Sequence, residues 1–276
     1  MCPFNNANDG GEARRLNDSA SSNTSGLNDS ASSDSGDLKN SARRDADELK
    51  NSASSDSGSV KQFNCIEAIE WKDGIAHRTD YHQRRIEAAF RCLYPDYTPF
   101  RLEKELEKFR EGGLHYAQNA GLKSEIYFPA KGKFKLRLEY DHQLRSIEFQ
   151  EYHRREIRSL KLVGIQQFAM EYKSSERTRI NQAFAQRGSC DDVLLVRDGL
   201  LTDTSYANIA LYDGRKWISP RVPLLYGTRR AYLLDHQLMV TDDIHVDDLS
   251  RFQLLRMFNA LIDFGEIEIP VESIGW

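Results

Sequence analysis

Lys173 stands where an apolar stretch gives way to a polar one, Phe168-Ala-Met-Glu-Tyr-Lys173-Ser-Ser-Glu-Arg177. A second segment follows, Leu201-Thr-Asp203-Thr-Ser-Tyr-Ala-Asn208-Ile. A lysine amine condenses with an aldehyde to an imine, and once desolvated it also works as a base near neutral pH. A buried carboxylate keeps a proton on a heteroaromatic nitrogen and so keeps that ring electron-poor. Two more segments could hold a phosphate. His82-Gln-Arg-Arg85-Ile offers the forked guanidinium of Arg85. Leu225-Tyr-Gly227-Thr228-Arg229-Arg230 puts a glycine turn ahead of a helix, whose free N–H groups and threonine hydroxyl suit an anion. Together these residues could work on an amine with a phosphorylated aldehyde as electron sink. Each also has a plainer reading. Lys173 could be a solvated surface lysine, Asp203 a hairpin-turn acid, Arg85 a wet helix charge, and Thr228 an ordinary helix cap.

The order and surroundings of these segments resemble the class IV aminotransferase family, which includes aminodeoxychorismate lyase, branched-chain aminotransferase and D-amino acid aminotransferase. The resemblance spans residues 63–276. It implies a mixed α+β and α/β, two-lobed fold of fold type IV, like D-amino acid aminotransferase, with pyridoxal 5'-phosphate (PLP) in the cleft. It makes Lys173 the imine-forming lysine and Asp203 the partner of the ring nitrogen. Arg85, Gly227 and Thr228 become phosphate ligands, and Asn208 belongs to the same cofactor frame. Two departures stand out. The family usually reads Thr-Glu-x-x-x-x-Asn where this chain has Thr202-Asp203 to Asn208, an acid shorter by one methylene, about 1.5 Å. Either the cofactor sits deeper, the loop moves in, or the contact is weaker. The family's Gly-(Ile/Val)-Thr-Arg also loses one residue between Gly227 and Thr228. Met257-Phe-Asn259-Ala-Leu resembles the lyase branch, which would put Asn259 on the substrate side, although it could equally close a strand end. Arg137 and Tyr140 lie on the strand that usually walls the cleft, on opposite faces, so at most one meets substrate. Arg137 is the candidate.

The activity implied is elimination of pyruvate to give 4-aminobenzoate for folate synthesis. The alternatives are a branched-chain or D-amino acid type aminotransferase, or a non-catalytic relative with a degraded cofactor site, which Asp203 and the shortened loop would motivate. The resemblance also implies a homodimer.

Helices and strands must position these groups. Residues 64–71 read as a strand turning at Asp73-Gly74, and Thr79-Asp80 as the cap of a helix through Phe90. Leu102, Leu106 and Phe109 share one face of a second helix that Gly112-Gly113 should end. Phe134, Leu136, Leu138 and Tyr140 alternate with charged residues, a strand paired with 144–152. In the second half, strands are expected at 157–163, 192–196, 207–212, 216–219, 238–241, 254–258 and 267–271. Helices are expected after Ser174 or Ser175, up to Gly188, and over 228–234. The expected domains are a tail over 1–62, a small lobe over 63–153 and a larger one over 154–276.

The tail holds four eleven-residue repeats, starting at Leu16, Leu27, Leu38 and Leu49, each dominated by small polar residues around one leucine. One apolar side chain per unit cannot offset backbone ordering at about 1–2 kcal/mol per residue, so the tail is expected to be disordered. The chain of 276 residues has a net charge of −4 and no basic stripe, which argues against nucleic acid. It has no apolar run of membrane-spanning length and no signal-like start, so no membrane and a cytoplasmic location are expected. Cys2, Cys65, Cys92 and Cys190 are scattered without ligand spacing and read as buried thiols, with no metal site.

Overall fold

The structure, a computed structural model, describes residues 64–119, 123–124, 128–166, 170 and 172–276. The expected tail and its repeats lie outside the described residues, as do Phe168, Ala169 and Glu171 of the lysine segment.

The first sheet has strands β1 (Cys65–Lys72), β2 (Ile75–Ala76), β3 (Lys123–Ser124), β4 (Lys133–Tyr140) and β5 (Leu144–Glu151), in the order β2-β1-β4-β5-β3. Helices α1 (Thr79–Leu93) and α2 (Leu102–Asn119) belong to the same half. Period-two patterning decides which side chains go inward. In β1 and β4, Cys65 faces Tyr140, Ile69 faces Leu136 and Trp71 faces Phe134 across the ladder. These join Ile86, Phe90, Leu102, Leu106 and Phe109 of the helices in one core. The other face of the same strands carries Ala68 opposite Arg137 and Glu70 opposite Lys135.

The second sheet runs β11-β10-β9-β8-β7-β6-β14, with β12 on β9 and β13 on β12. Its strands are β6 (Leu160–Gly164), β7 (Asp192–Arg197), β8 (Leu200–Thr204), β9 (Asn208–Tyr212), β10 (Trp217–Pro220), β11 (Val240–Asp242), β12 (Leu254–Asn259), β13 (Ile262–Pro270) and β14 (Ile274–Gly275). Helices α3 (Thr178–Ala185) and α4 (Thr228–Asp235) complete it. Continuous apolar runs such as Val193-Leu-Leu-Val196 are buried on both faces. The halves are joined beside the lysine. The Ile66 N–H donates to the Lys173 carbonyl at 2.8 Å, and Cys65 bridges Ser174.

Several sequence expectations change. Thr79 lies inside α1 and its hydroxyl donates to Glu103 rather than capping. The residue before it, Arg78, takes a left-handed conformation with φ 56°. Gly113 breaks α2 at φ 51° and ψ −133°, but helical residues resume to Asn119. Ser174 does not cap α3. It is engaged in the bridge to β1, and α3 begins four residues later. Residues 200–204, read as a turn region, form β8, so Asp203 is a strand residue. Of the cysteines in the described residues, Cys65 is buried and Cys190 half-buried, both free. Cys92 is exposed on α1 and takes part in a disulfide, so the buried-thiol reading holds for Cys65 alone. Among the described residues no helix is long and apolar enough to cross a membrane.

Candidate active site

Arg85, Lys173, Asp203, Asn208, Gly227, Thr228 and Asn259 all line one cleft. They come from α1, the segment before α3, β8, β9, the loop into α4 and the end of β12.

Lys173 is partly buried, and its backbone is pinned to β1. Burial, reinforced by Arg85, Arg177 and Lys135, lowers its amine to about pKa 8, while Glu67 opposes the shift. Asp203 is buried in β8. Its Oδ1 accepts from Asn208 Nδ2 and its Oδ2 from the Leu225 N–H, both at 2.8 Å. Burial raises Asp203 to about pKa 6, and those two donors together with Arg230 hold it below what burial alone would impose.

The short acid is met by the short loop. Leu225 N–H reaches Asp203, and Asn208 Nδ2 also donates to the Leu225 carbonyl at 2.8 Å. Gly227 then packs directly on Asn208, and a Cβ there would lie 2.0 Å from Asn208 Oδ1. These contacts tie the loop before α4 to Asp203 and Asn208.

Arg85 is buried and held by Glu67 of β1. Its Nε donates to Glu67 Oε1 at 2.9 Å and its Nη2 to Oε2. His82, one turn earlier, places Nδ1 2.5 Å from Glu67 Oε2 and Nε2 3.4 Å from the Thr228 hydroxyl. Burial alone would push Glu67 up, but Arg85 and His82 outweigh it and draw Glu67 down to about 2. Burial keeps His82 below its ordinary value despite Glu67. Arg84, by contrast, is a solvated charge over Tyr81.

Asn259 lines the cleft, but its polar atoms hold the β12–β13 turn. Its Oδ1 accepts from Leu261 and Ile262 N–H at 2.8 and 3.0 Å, and its Nδ2 donates to the Tyr206 carbonyl. The strand-closing alternative therefore describes its side chain. Arg78 latches the same turn from the other half, donating to Glu70 Oε2 at 2.5 Å and to the Ala260 carbonyl at 2.8 Å. Arg137 shares a face with Ala68, a cleft residue, yet does not itself line the cleft; its Nη1 sits 3.2 Å from Glu139. Tyr140 is in the core.

Sequence reading assigned no role to Glu67, His82 or Arg177. The signal for Glu67 was present: it shares strand parity with Cys65, Ile69 and Trp71, and an acid among core positions needs a buried partner.

The residues fit PLP. A near-neutral amine, an isolated buried acid and a guanidinium fixed by a second acid surround one space. Among the described residues the cations lining it are Arg85, Lys173 and Arg177 and the one acid is Asp203, a balance suited to an anionic guest.

The family model for class IV amino-transferases matches residues 64–269. The chain belongs to that family. Its members depend on PLP. A Haemophilus influenzae protein of unassigned function is 33% identical over 127 residues, covering 46% of this chain and 68% of the relative. Among solved structures, a Haemophilus somnus protein provisionally named 4-amino-4-deoxychorismate lyase aligns with TM-score 0.63 and 28% identity, over 73% of this chain and 97% of its own. A hypothetical aminotransferase of Mycobacterium tuberculosis in its PLP-bound form aligns with TM-score 0.58 and 17% identity, over 78% and 82%, and shows the shared fold.

Proposed function

We propose that the chain is a PLP-dependent enzyme of the aminodeoxychorismate lyase type, eliminating pyruvate and releasing 4-aminobenzoate. One observation carries the reading: Lys173, Asp203 and Arg85 converge on one cleft, each with the electrostatic setting its role requires. The lyase branch is supported by the Asn259-Ala260-Leu261 turn at the cleft wall and by the name of the Haemophilus somnus relative.

When bound, PLP supplies an electron sink for negative charge at the carbon beside the substrate amine. Lys173 does the proton work. At pH 7 an amine of pKa 8 is about 10% uncharged, against about 0.03% for an ordinary lysine, so Nζ can attack a carbonyl and then move protons at the substrate carbon. Asp203 keeps the ring nitrogen protonated. With a pKa of about 6 it is ionised near pH 7, yet basic enough to share a proton. Arg85 holds the phosphate through the guanidinium edge that Glu67 leaves free, and the N–H groups opening α4 add donors. The Thr228 hydroxyl, 3.4 Å from His82 Nε2, opens α4 at the same end of the cleft. Met170, Ile180, Leu224 and Leu261 exclude water from the reacting carbon. A homodimer in the cytoplasm belongs to the same reading.

The test is to give aminodeoxychorismate to the PLP-loaded protein. Equal amounts of 4-aminobenzoate and pyruvate are expected. Amino-group exchange between an amino acid and a keto acid, with no 4-aminobenzoate, would replace the lyase with an aminotransferase.

A further inference from the structure

Among the described residues three cations line the cleft, and two of them are accounted for. Arg85 is bound by Glu67, and Lys173 is the reacting amine. Arg177 is the third. It lies immediately before α3, four residues after Lys173, and it is half-buried. Its Nη2 donates to the Ser205 carbonyl at 2.8 Å, and among the described residues it forms no ion pair with a carboxylate. The acid that acts on it, Asp192, is already engaged by the Ser205 hydroxyl at 3.0 Å, the Val193 N–H at 2.7 Å and Arg155 at 3.5 Å. Burial lowers the Arg177 pKa, the mark of a cation whose desolvation is incompletely compensated. Ser205 takes up one of the five N–H donors and fixes the plane of the fork, leaving the rest for an incoming group.

We propose that Arg177 anchors a carboxylate of the substrate, so that the enzyme accepts amino compounds carrying a carboxylate and discriminates against their neutral counterparts. The inference rests on the reading of this cleft as the site of an amino substrate. A carboxylate matches the guanidinium fork in two parallel hydrogen bonds. Met170 and Ile180, which line the same cleft, are apolar and would strengthen that contact by keeping water away. Once held there, the substrate is fixed at one end while its amine meets Lys173. Arg177 is thus a determinant of which amines enter.

The experiment uses the whole chain and needs no turnover. Isothermal titration measures binding of two acid and amide pairs, 4-aminobenzoate with 4-aminobenzamide and alanine with alaninamide, to wild type, Arg177→Met and Arg177→Lys. The wild type should bind at least one acid about tenfold or more tighter than its amide. Arg177→Met should reduce that preference to about threefold or less by weakening only the acid. Arg177→Lys should keep part of it, since an ammonium offers charge without the fork. A wild type with no acid preference, or either variant with an unchanged one, overturns the proposal. PLP absorption is recorded in parallel. Its absence from every sample would defeat the cofactor reading, while the acid and amide comparison still decides the role of Arg177.

Discussion

Glu67→Gln is the perturbation whose size follows most directly from the geometry. Glu67 is fully buried and accepts from Arg85 Nε at 2.9 Å, from Arg85 Nη2 and from His82 Nδ1 at 2.5 Å. Glutamine keeps the shape, removes the charge and brings an amide nitrogen against the Arg85 guanidinium, which can only donate. Leaving a buried cation without its partner costs about 3–5 kcal/mol. The lowered Glu67 pKa leads to a similar figure. A shift from 4.5 to about 2 is ~2.5 units, or about 3 kcal/mol at ~1.4 kcal/mol per unit. Because the folded value lies below the unfolded one, this stability is fully present above the unfolded value of 4.5 and drains away as pH falls toward 2. Urea unfolding followed by tryptophan fluorescence, with Trp71 in the same core, should show the variant about 3 kcal/mol less stable near neutral pH. The gap should narrow by roughly half on reaching about pH 3. A difference below about 1 kcal/mol at neutral pH, or one that persists undiminished in acid, would refute the reasoning.

Three further outcomes are expected. Gly227→Ala should weaken PLP binding about tenfold or more, since its Cβ would fall 2.0 Å from Asn208 Oδ1; Gly164→Ala, with open space around it, is the neutral control, and equal affinities would contradict the packing argument. Asp203→Asn should still load PLP but turn over about 100-fold slower or worse, with undiminished turnover counting against its role at the ring nitrogen. The rate at which Lys173 reacts with an added aldehyde should rise with pH through a midpoint near 8, as the amine loses its proton; a midpoint near the ordinary 10.5 would show that burial does not lower it.

Much of the frame was legible because it rests on local rules. The alternation in β4 assigned Leu136, Leu138 and Tyr140 inward, and Asp73-Gly74 and Asp198-Gly199 formed the left-handed turns their residue types favour. The site segments could be recognised because their order, not any single residue, was informative. What escaped depended on tertiary partners that local patterning does not reveal. β8 was missed because Thr202-Asp203-Thr204 has polar side chains whose burial is decided by Leu225, Leu195 and Ala207. The hydroxyl of Ser174 looked like a cap, but its backbone had been taken by Cys65 more than a hundred residues earlier. Glu67 and His82 emerged only when β1, α1 and α4 came together around Arg85.

The central claim is that Lys173 carries the cofactor. Borohydride reduction of the PLP-loaded protein, followed by peptide mass spectrometry, tests it most directly. The account predicts one pyridoxyl adduct, on Lys173, accompanied by a visible absorption band before reduction, with both absent from Lys173→Ala. An adduct on another lysine, or the same band in the variant, would contradict it.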